Sequence, residues 1–90
     1  MIYRIEFSET AKKDLKKISS ESRRRIFKWL DKNIKDCENP RSFGKALSGD
    51  KSGLWRYRVG NYRIVVEIFD DRLLIDALHI AHRSQVYDIF

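Results

Sequence analysis

Tyr3, Ile5 and Phe7 alternate with Arg4 and Glu6, the period-two pattern of a half-buried strand, and predict one over residues 2–7. Ser8 then caps a helix in which Ala11, Leu15 and Ile18 recur at helical spacing. Ser19 or Ser20 caps a second helix, with Ile26, Phe27, Leu30 and Ile34 as its buried stripe. That helix should stop before Asn39-Pro40, because a residue ahead of proline avoids helical geometry. Residues 41–53 hold three of the four glycines and little hydrophobic pattern, so they read as a loop. From Leu54 the period returns to two, and Leu54–Val59, Tyr62–Phe69 and Arg72–Ala81 read as three successive antiparallel strands. Gly60-Asn61 and Asp70-Asp71 supply the turns, and glycine at the first central position suits a type II′ hairpin. Ser84–Phe90 could add a short helical turn. The order β-α-α-β-β-β predicts one α+β domain over residues 1–90, with a two-helix hairpin packed on one face of a small, largely antiparallel sheet.

Charge narrows the choice of partner. Nineteen Lys and Arg against thirteen Asp and Glu give +6 on 90 residues, with a pI near 9.7. So dense a charge favours a polyanion or an acidic protein. Lys12, Lys13, Lys16, Lys17, Arg23, Arg24, Arg25 and Lys28 fall on the outer helix faces, where a solvated surface is the simplest account of each. Cys37 is the only cysteine, which excludes an internal disulfide and a cysteine zinc site and fits a reducing compartment. Charges at Arg4 and Glu6 break the apolar core a signal peptide needs, and no later run reaches the length of a membrane span. The expectation is a soluble, cytoplasmic protein with no membrane partner. No carboxylate pair or metal-ligand spacing stands out, so an enzyme here is expected to use neither a metal nor a small-molecule cofactor.

The sharpest inference comes from register. A two-residue turn at Gly60-Asn61 sets Val59 opposite Tyr62 and Arg58 opposite Arg63. Opposed residues share a face, as do residues two apart, so Arg56, Arg58 and Arg63 project together. Trp55, Tyr57, Val59, Tyr62, Ile64, Val66 and Ile68 make the other face, which suits a core under the helices. A slip of one residue would carry arginines into that core. Directly opposed like charges weaken a sheet, and folding offers no evident reason to group three guanidinium groups, whereas binding phosphate does. The alternative is an ordinary wet face, neutralised by Glu67 or Asp76.

His82-Arg83-Ser84-Gln85-Val86-Tyr87 follows the last predicted strand. Arg and His there could bind phosphate or move protons, and Tyr could stack on a base or move a proton. Each also has a structural account: Tyr87 as a packed aromatic, His82 as a surface residue. His79, inside the apolar strand, reads as structural.

The run Leu47-Ser48-Gly49, then Gly53-Leu54-Trp55-Arg56-Tyr57-Arg58-Val59-Gly60-Asn61-Tyr62-Arg63-Ile64-Val65, then Ile80-Ala81-His82-Arg83 and Val86-Tyr87, resembles the RelE/ParE toxin superfamily, the RelE branch in particular, over nearly the whole chain. The resemblance implies a toxin of a toxin–antitoxin pair that enters the ribosomal A site and cuts messenger RNA. There the ribose 2′-hydroxyl attacks the adjacent phosphate, giving a 2′,3′-cyclic phosphate and a new 5′-hydroxyl. It assigns Arg56, Arg58 and Arg63 to the scissile phosphate and Arg83 to the leaving oxygen. It assigns Tyr87 to the 2′-hydroxyl proton. Tyrosine with an ordinary pKa near 10 is a poor base at neutral pH, though surrounding guanidinium groups favour phenolate. Arginines stand where some members carry lysines, which changes reach and donor geometry. His82 beside Arg83, with a shorter closing segment, leaves the base open between His82 and Tyr87. The implied partners are ribosome, mRNA and an antitoxin with an acidic segment. Two alternatives stand: a ParE-like poison of DNA gyrase, and an inactive RNA-binding relative.

Overall fold

The computed structural model describes residues 2–84. Strand β1 (Arg4–Phe7) leads into helices α1 (Glu9–Lys17) and α2 (Ser20–Asn33), and strands β2 (Lys45–Ala46), β3 (Trp55–Val59), β4 (Tyr62–Phe69) and β5 (Leu74–His82) follow. They form a five-stranded sheet in the order β1-β5-β4-β3-β2. Only the β1–β5 pair is parallel; the others are antiparallel. This is the α+β architecture expected.

Local chemistry explains the helix starts. The Ser8 hydroxyl accepts from the Ala11 N–H at 3.0 Å and donates to the Leu78 carbonyl at 3.0 Å, so it caps α1 and fastens it to β5. Ser19, rather than Ser20, caps α2, accepting from the Ser22 N–H at 3.2 Å. Helix α2 ends at Asn33, well ahead of Asn39-Pro40. The reason is tertiary: the Asp36 N–H donates to the Tyr3 carbonyl and the Tyr3 N–H to the Cys37 carbonyl, so the chain must leave the helix early to run beside β1. Asp36 makes that turn at φ 60°.

Ala11, Leu15, Ile18, Ile26, Leu30 and Ile34 pack against Tyr57, Val59, Ile64, Val66, Ile75, Ala77 and Ile80 in one core. Full burial of each large aliphatic side chain there contributes about 1.5–3 kcal/mol. Phe27 departs from the expected stripe. It lies 37% exposed, with its ring edge against Phe7 at 5.7 Å.

The region read as loop folds further than its composition suggested. β2 pairs with the start of β3, and Gly49–Lys51 makes a 3-10 turn. The Leu47 N–H donates to the Leu54 carbonyl, and both side chains pack on Val65 and Ala81 across the face away from the helices. Gly44 crosses the β3 edge at φ +82°, where an added Cβ would lie 2.1 Å from the Arg56 carbonyl oxygen. No side chain fits at that crossing.

At Gly60-Asn61 the expected turn forms. Gly60 alone of the pair has positive φ, at 59°, as type II′ requires. The Asp70-Asp71 turn is longer than predicted. Phe69 pairs with Leu74, so residues 70–73 make the loop, closed by the Arg72 N–H on the Phe69 carbonyl. A two-residue hairpin would demand positive φ at Asp70, and the chain instead takes it at Leu73, φ 51°. The same loop anchors a clamp. Asp70 receives both guanidinium nitrogens of Arg41 at 3.0 Å and the Tyr3 hydroxyl at 2.6 Å, tying residues 37–43 to the sheet.

Those hydrogen bonds, Arg41 first and Tyr3 second, hold the Asp70 carboxyl below its ordinary range. Its folded pKa is depressed, so its contribution to stability is complete above the unfolded value of about 3.9 and is lost as pH falls through the folded one. Urea midpoints measured between about pH 5 and pH 2 should therefore fall more steeply for the native chain than for Asp70→Asn. Parallel curves for the two proteins would remove the clamp from the account of stability.

Candidate functional site

The β3–β4 register is the one the arginine argument required. Val59 pairs with Tyr62, Arg58 with Arg63 and Arg56 with Val65. The three arginines share the face away from the helices; Arg58 is exposed, while Arg56 and Arg63 are half-buried. Lys45 pairs with Arg56 across β2 and adds a fourth cation to the group. Sequence reasoning missed Lys45 because residues 41–53 show no period, and only pairing with β3 gives it a face.

Glu67 and Asp76 share this face at its other end. They pair with each other, and Asp76 pairs with Glu6 on its other side. Glu67 stands four residues from Arg63 along β4, about 13 Å at the usual strand rise. Burial first, and Glu6 second, push the Asp76 carboxyl above its ordinary range. The face is thus bipolar: cationic at the Gly60 hairpin and acidic at the far end, with Val65 between Arg63 and Glu67 on β4 and Ala81 beside Arg63.

Strand β5 decides where the last motif points. Ala77 pairs with Val66 and His79 with Val65, so Leu78 is an extra residue, a β-bulge. It lies where β1 ends and α1 takes over the flank of β5. There Ser8 binds the Leu78 carbonyl, and Asp14 accepts from the Ile80 N–H at 3.0 Å. His79 stands 3.6 Å from Asp14, in keeping with a structural role. An unbroken strand would carry His82 onto the face of Asp76 and Arg63. The bulge reverses that parity: His82 pairs with Tyr62, and their rings meet edge-on at 5.8 Å, on the helix side of the sheet. Its Nδ1 lies 3.0 Å from the Ser84 hydroxyl.

The structure thus gathers Arg56, Arg58 and Arg63 and turns His82 away from them. Arg83 is exposed, and its N–H donates to the Asn61 carbonyl at 2.7 Å, which carries it beside the hairpin turn. Tyr87, and the helical turn expected for the tail, lie outside the described residues. Grouped guanidinium groups can bind a phosphate through paired N–H donors and offset charge that grows on it. They cannot accept a proton at neutral pH, so general-base chemistry needs a further group. Among the described residues no cluster of His, Cys, Asp and Glu could hold a metal ion, and no helix is long and apolar enough to cross a membrane.

Comparison with known proteins gives the family. A family model for the ParE toxin of the parDE type II toxin–antitoxin system matches residues 5–87. Toxin RelE3 of Methanocaldococcus jannaschii is 34% identical over 90 residues, spanning 93% of this chain and 94% of its own. Toxin RelE of Mycobacterium tuberculosis is 31% identical over 85 residues, spanning 94% and 86%. The crystal structure of the RelBE2 toxin–antitoxin complex from Mycobacterium tuberculosis contains a chain that superposes with a TM-score of 0.83 at 25% identity, covering 93% of this chain and 94% of that one. The chain belongs to the RelE/ParE toxin superfamily of type II toxin–antitoxin systems, as a RelE-family toxin.

Opposed arginines weaken the hairpin that carries them. Arg58→Thr should raise stability by about 0.2–1 kcal/mol by removing the like-charge pair, read as a higher urea midpoint at unchanged slope. A midpoint at or below that of the native chain would mean that Arg58 and Arg63 do not strain the sheet.

Proposed function

We propose that this toxin is a ribosome-dependent endoribonuclease whose arginine face grips the messenger backbone in the A site. The observation that carries the reading is the direct opposition of Arg58 and Arg63, with Arg56 and Lys45 on the same face. In this mechanism the 2′-oxygen attacks the adjacent phosphorus and the bond to the 5′-oxygen breaks. A 2′,3′-cyclic phosphate and a 5′-hydroxyl result. Arg56, Arg58 and Arg63 hold the non-bridging oxygens and offset the charge that grows on them. Arg83, beside the same turn, protonates or stabilises the departing 5′-oxygen. Tyr87 takes the 2′-hydroxyl proton, the role the family resemblance gives it, and a cationic site would favour its phenolate. His82 is the second choice, because its ring lies against Tyr62 on the other face. The step needs no metal.

The partners follow from the same surface. A basic face on a chain of net charge +6 suits an acidic antitoxin segment that masks the arginines until it is removed, and the RelBE2 relative was solved as a toxin–antitoxin complex. Ribosome and messenger place the action in the cytoplasm. The ParE description of the matching family model supports a second reading, poisoning of DNA gyrase. The arginine face favours the first, since three grouped guanidinium groups suit a phosphodiester under attack.

Primer extension on a reporter messenger with programmed ribosomes tests the proposal. The native chain should produce stops at A-site codons. Arg63→Ala should lower the cleavage rate about 10²–10³-fold, as loss of a preorganised charge-stabilising donor does, and Tyr87→Phe about 10²–10⁴-fold. Cleavage at native rate by both folded variants would sink the assigned site. An absence of stops with the folded native chain, together with gyrase-linked DNA damage in cells, would shift the function to the second reading.

A further inference from the structure

A cleft of about 340 Å³ opens between α2, the loop before β2 and the edge of β3, lined by Trp29, Phe43, Gly44, Lys45, Arg56 and Arg58. Its volume lies at the lower end of ligand-sized clefts, about 300–1,000 Å³. Phe43 is the aromatic of interest. It is 41% exposed, which is costly for so apolar a ring, yet its position is fixed from several directions. The Trp55 Nε1–H donates to the Phe43 carbonyl at 2.7 Å. The Phe43 ring meets Trp29 edge-on at 5.6 Å, and Trp29 packs in turn on buried Tyr57 at 5.6 Å. Gly44, next in the chain, sits so tightly on the Arg56 carbonyl that the backbone there has one route.

Beside this held ring stand cations that no ion pair among the described residues engages: Lys45 and Arg58. Arg56 and Arg58 belong at once to the cleft and to the arginine face, so whatever fills the cleft is continuous with whatever the arginines hold. A fixed, part-exposed aromatic flanked by cations is the arrangement that takes single-stranded nucleic acid: the ring stacks on a base and the cations track the backbone. An apolar ligand would have no use for Lys45 and Arg58, and a bare phosphate none for Phe43.

We propose that this cleft is a nucleobase subsite, in which a base of single-stranded RNA next to the scissile phosphate stacks on Phe43 while Lys45 and Arg58 hold the adjoining phosphate. The inference rests on the reading of the arginine face as an RNA site and adds to it a specificity-determining residue on a loop outside the hairpin. Every base has a π-face, so the stack selects by size and stacking strength, and purines gain more than pyrimidines.

Fluorescence anisotropy with labelled oligoadenylate and oligouridylate of about six nucleotides, within the site sizes usual for single strands, tests it directly, without ribosomes. Phe43→Ala should weaken oligoadenylate binding about 5- to 150-fold and leave the dependence on salt unchanged, since no phosphate contact is lost. Phe43→Trp should restore binding. Phe43→Leu, which keeps apolar bulk and guards against misfolding as the cause, should not. Lys45→Ala should instead lower the slope of log affinity against log salt by about one. Native binding that is salt-dependent and indifferent to Phe43 would overturn the subsite and leave the arginine face standing. Failure of the native chain to bind either oligonucleotide would overturn the subsite alone, because the arginine face is judged by A-site cleavage on programmed ribosomes. A Phe43→Ala chain that binds RNA normally but loses an acidic antitoxin peptide would reassign the cleft to the protein partner.

Discussion

The two-residue turn at Gly60-Asn61 sets the register of β3 against β4, and most of the molecule's chemistry follows from that register. Positive φ at Gly60 brings Val59 opposite Tyr62, and from there every second residue of both strands faces the helices. Tyr57, Val59, Ile64 and Val66 enter the core as a set, and Arg56, Arg58 and Arg63 leave it as a set. A slip of one residue would exchange the two sets and bury three guanidinium groups without partners. The core that stabilises the sheet is therefore the same constraint that holds the cationic face in place.

That face is more structured than a patch of surface charge. Leu47 and Leu54 fold over Val65 and Ala81, and the carboxylates of Glu6, Glu67 and Asp76 lie at the other end from the arginines. A polyanion laid across the face meets attraction at one end and repulsion at the other, so it is oriented as well as held. The loop that supplies Leu47 also brings Lys45 beside Arg56 and fixes Phe43 at the rim. The segment that buries the open face is thus the segment that extends the site.

The β-bulge at Leu78 has the opposite kind of consequence. It allows β5 to leave β1 and continue along α1, where Ser8 and Asp14 satisfy the backbone groups that β1 no longer reaches. One extra residue reverses the facing of all that follows, and His82 moves from the arginine face to the side of Tyr62. For a histidine adjacent in sequence to Arg83, that is the difference between facing the arginines and packing on a ring behind them.

The Ser8 cap, a second cap at Ser19 or Ser20, the type II′ turn and the sharing of one face by Arg56, Arg58 and Arg63 were legible because each rests on a local rule: a side chain that satisfies free N–H groups, a glycine that accepts positive φ, and a period of two. The same hairpin and the His-Arg-x-x-Val-Tyr run carried the resemblance to RelE toxins. The rest depends on contacts between segments distant in the chain. Residues 36–37 leave the helix to pair with Tyr3, the Asp70 loop lengthens so that Phe69 meets Leu74, residues 41–53 gain a strand and an apolar cover only against β3 and β4, and Leu78 bulges because β1 stops. Local sequence determined which arginines stand together, through pairing rules that act over a few residues. Tertiary structure alone decided what stands beside them, because Lys45, Phe43 and the facing of His82 are set by partners on other elements: Arg56, the Trp55 indole, and the Ser8 contact at the Leu78 bulge.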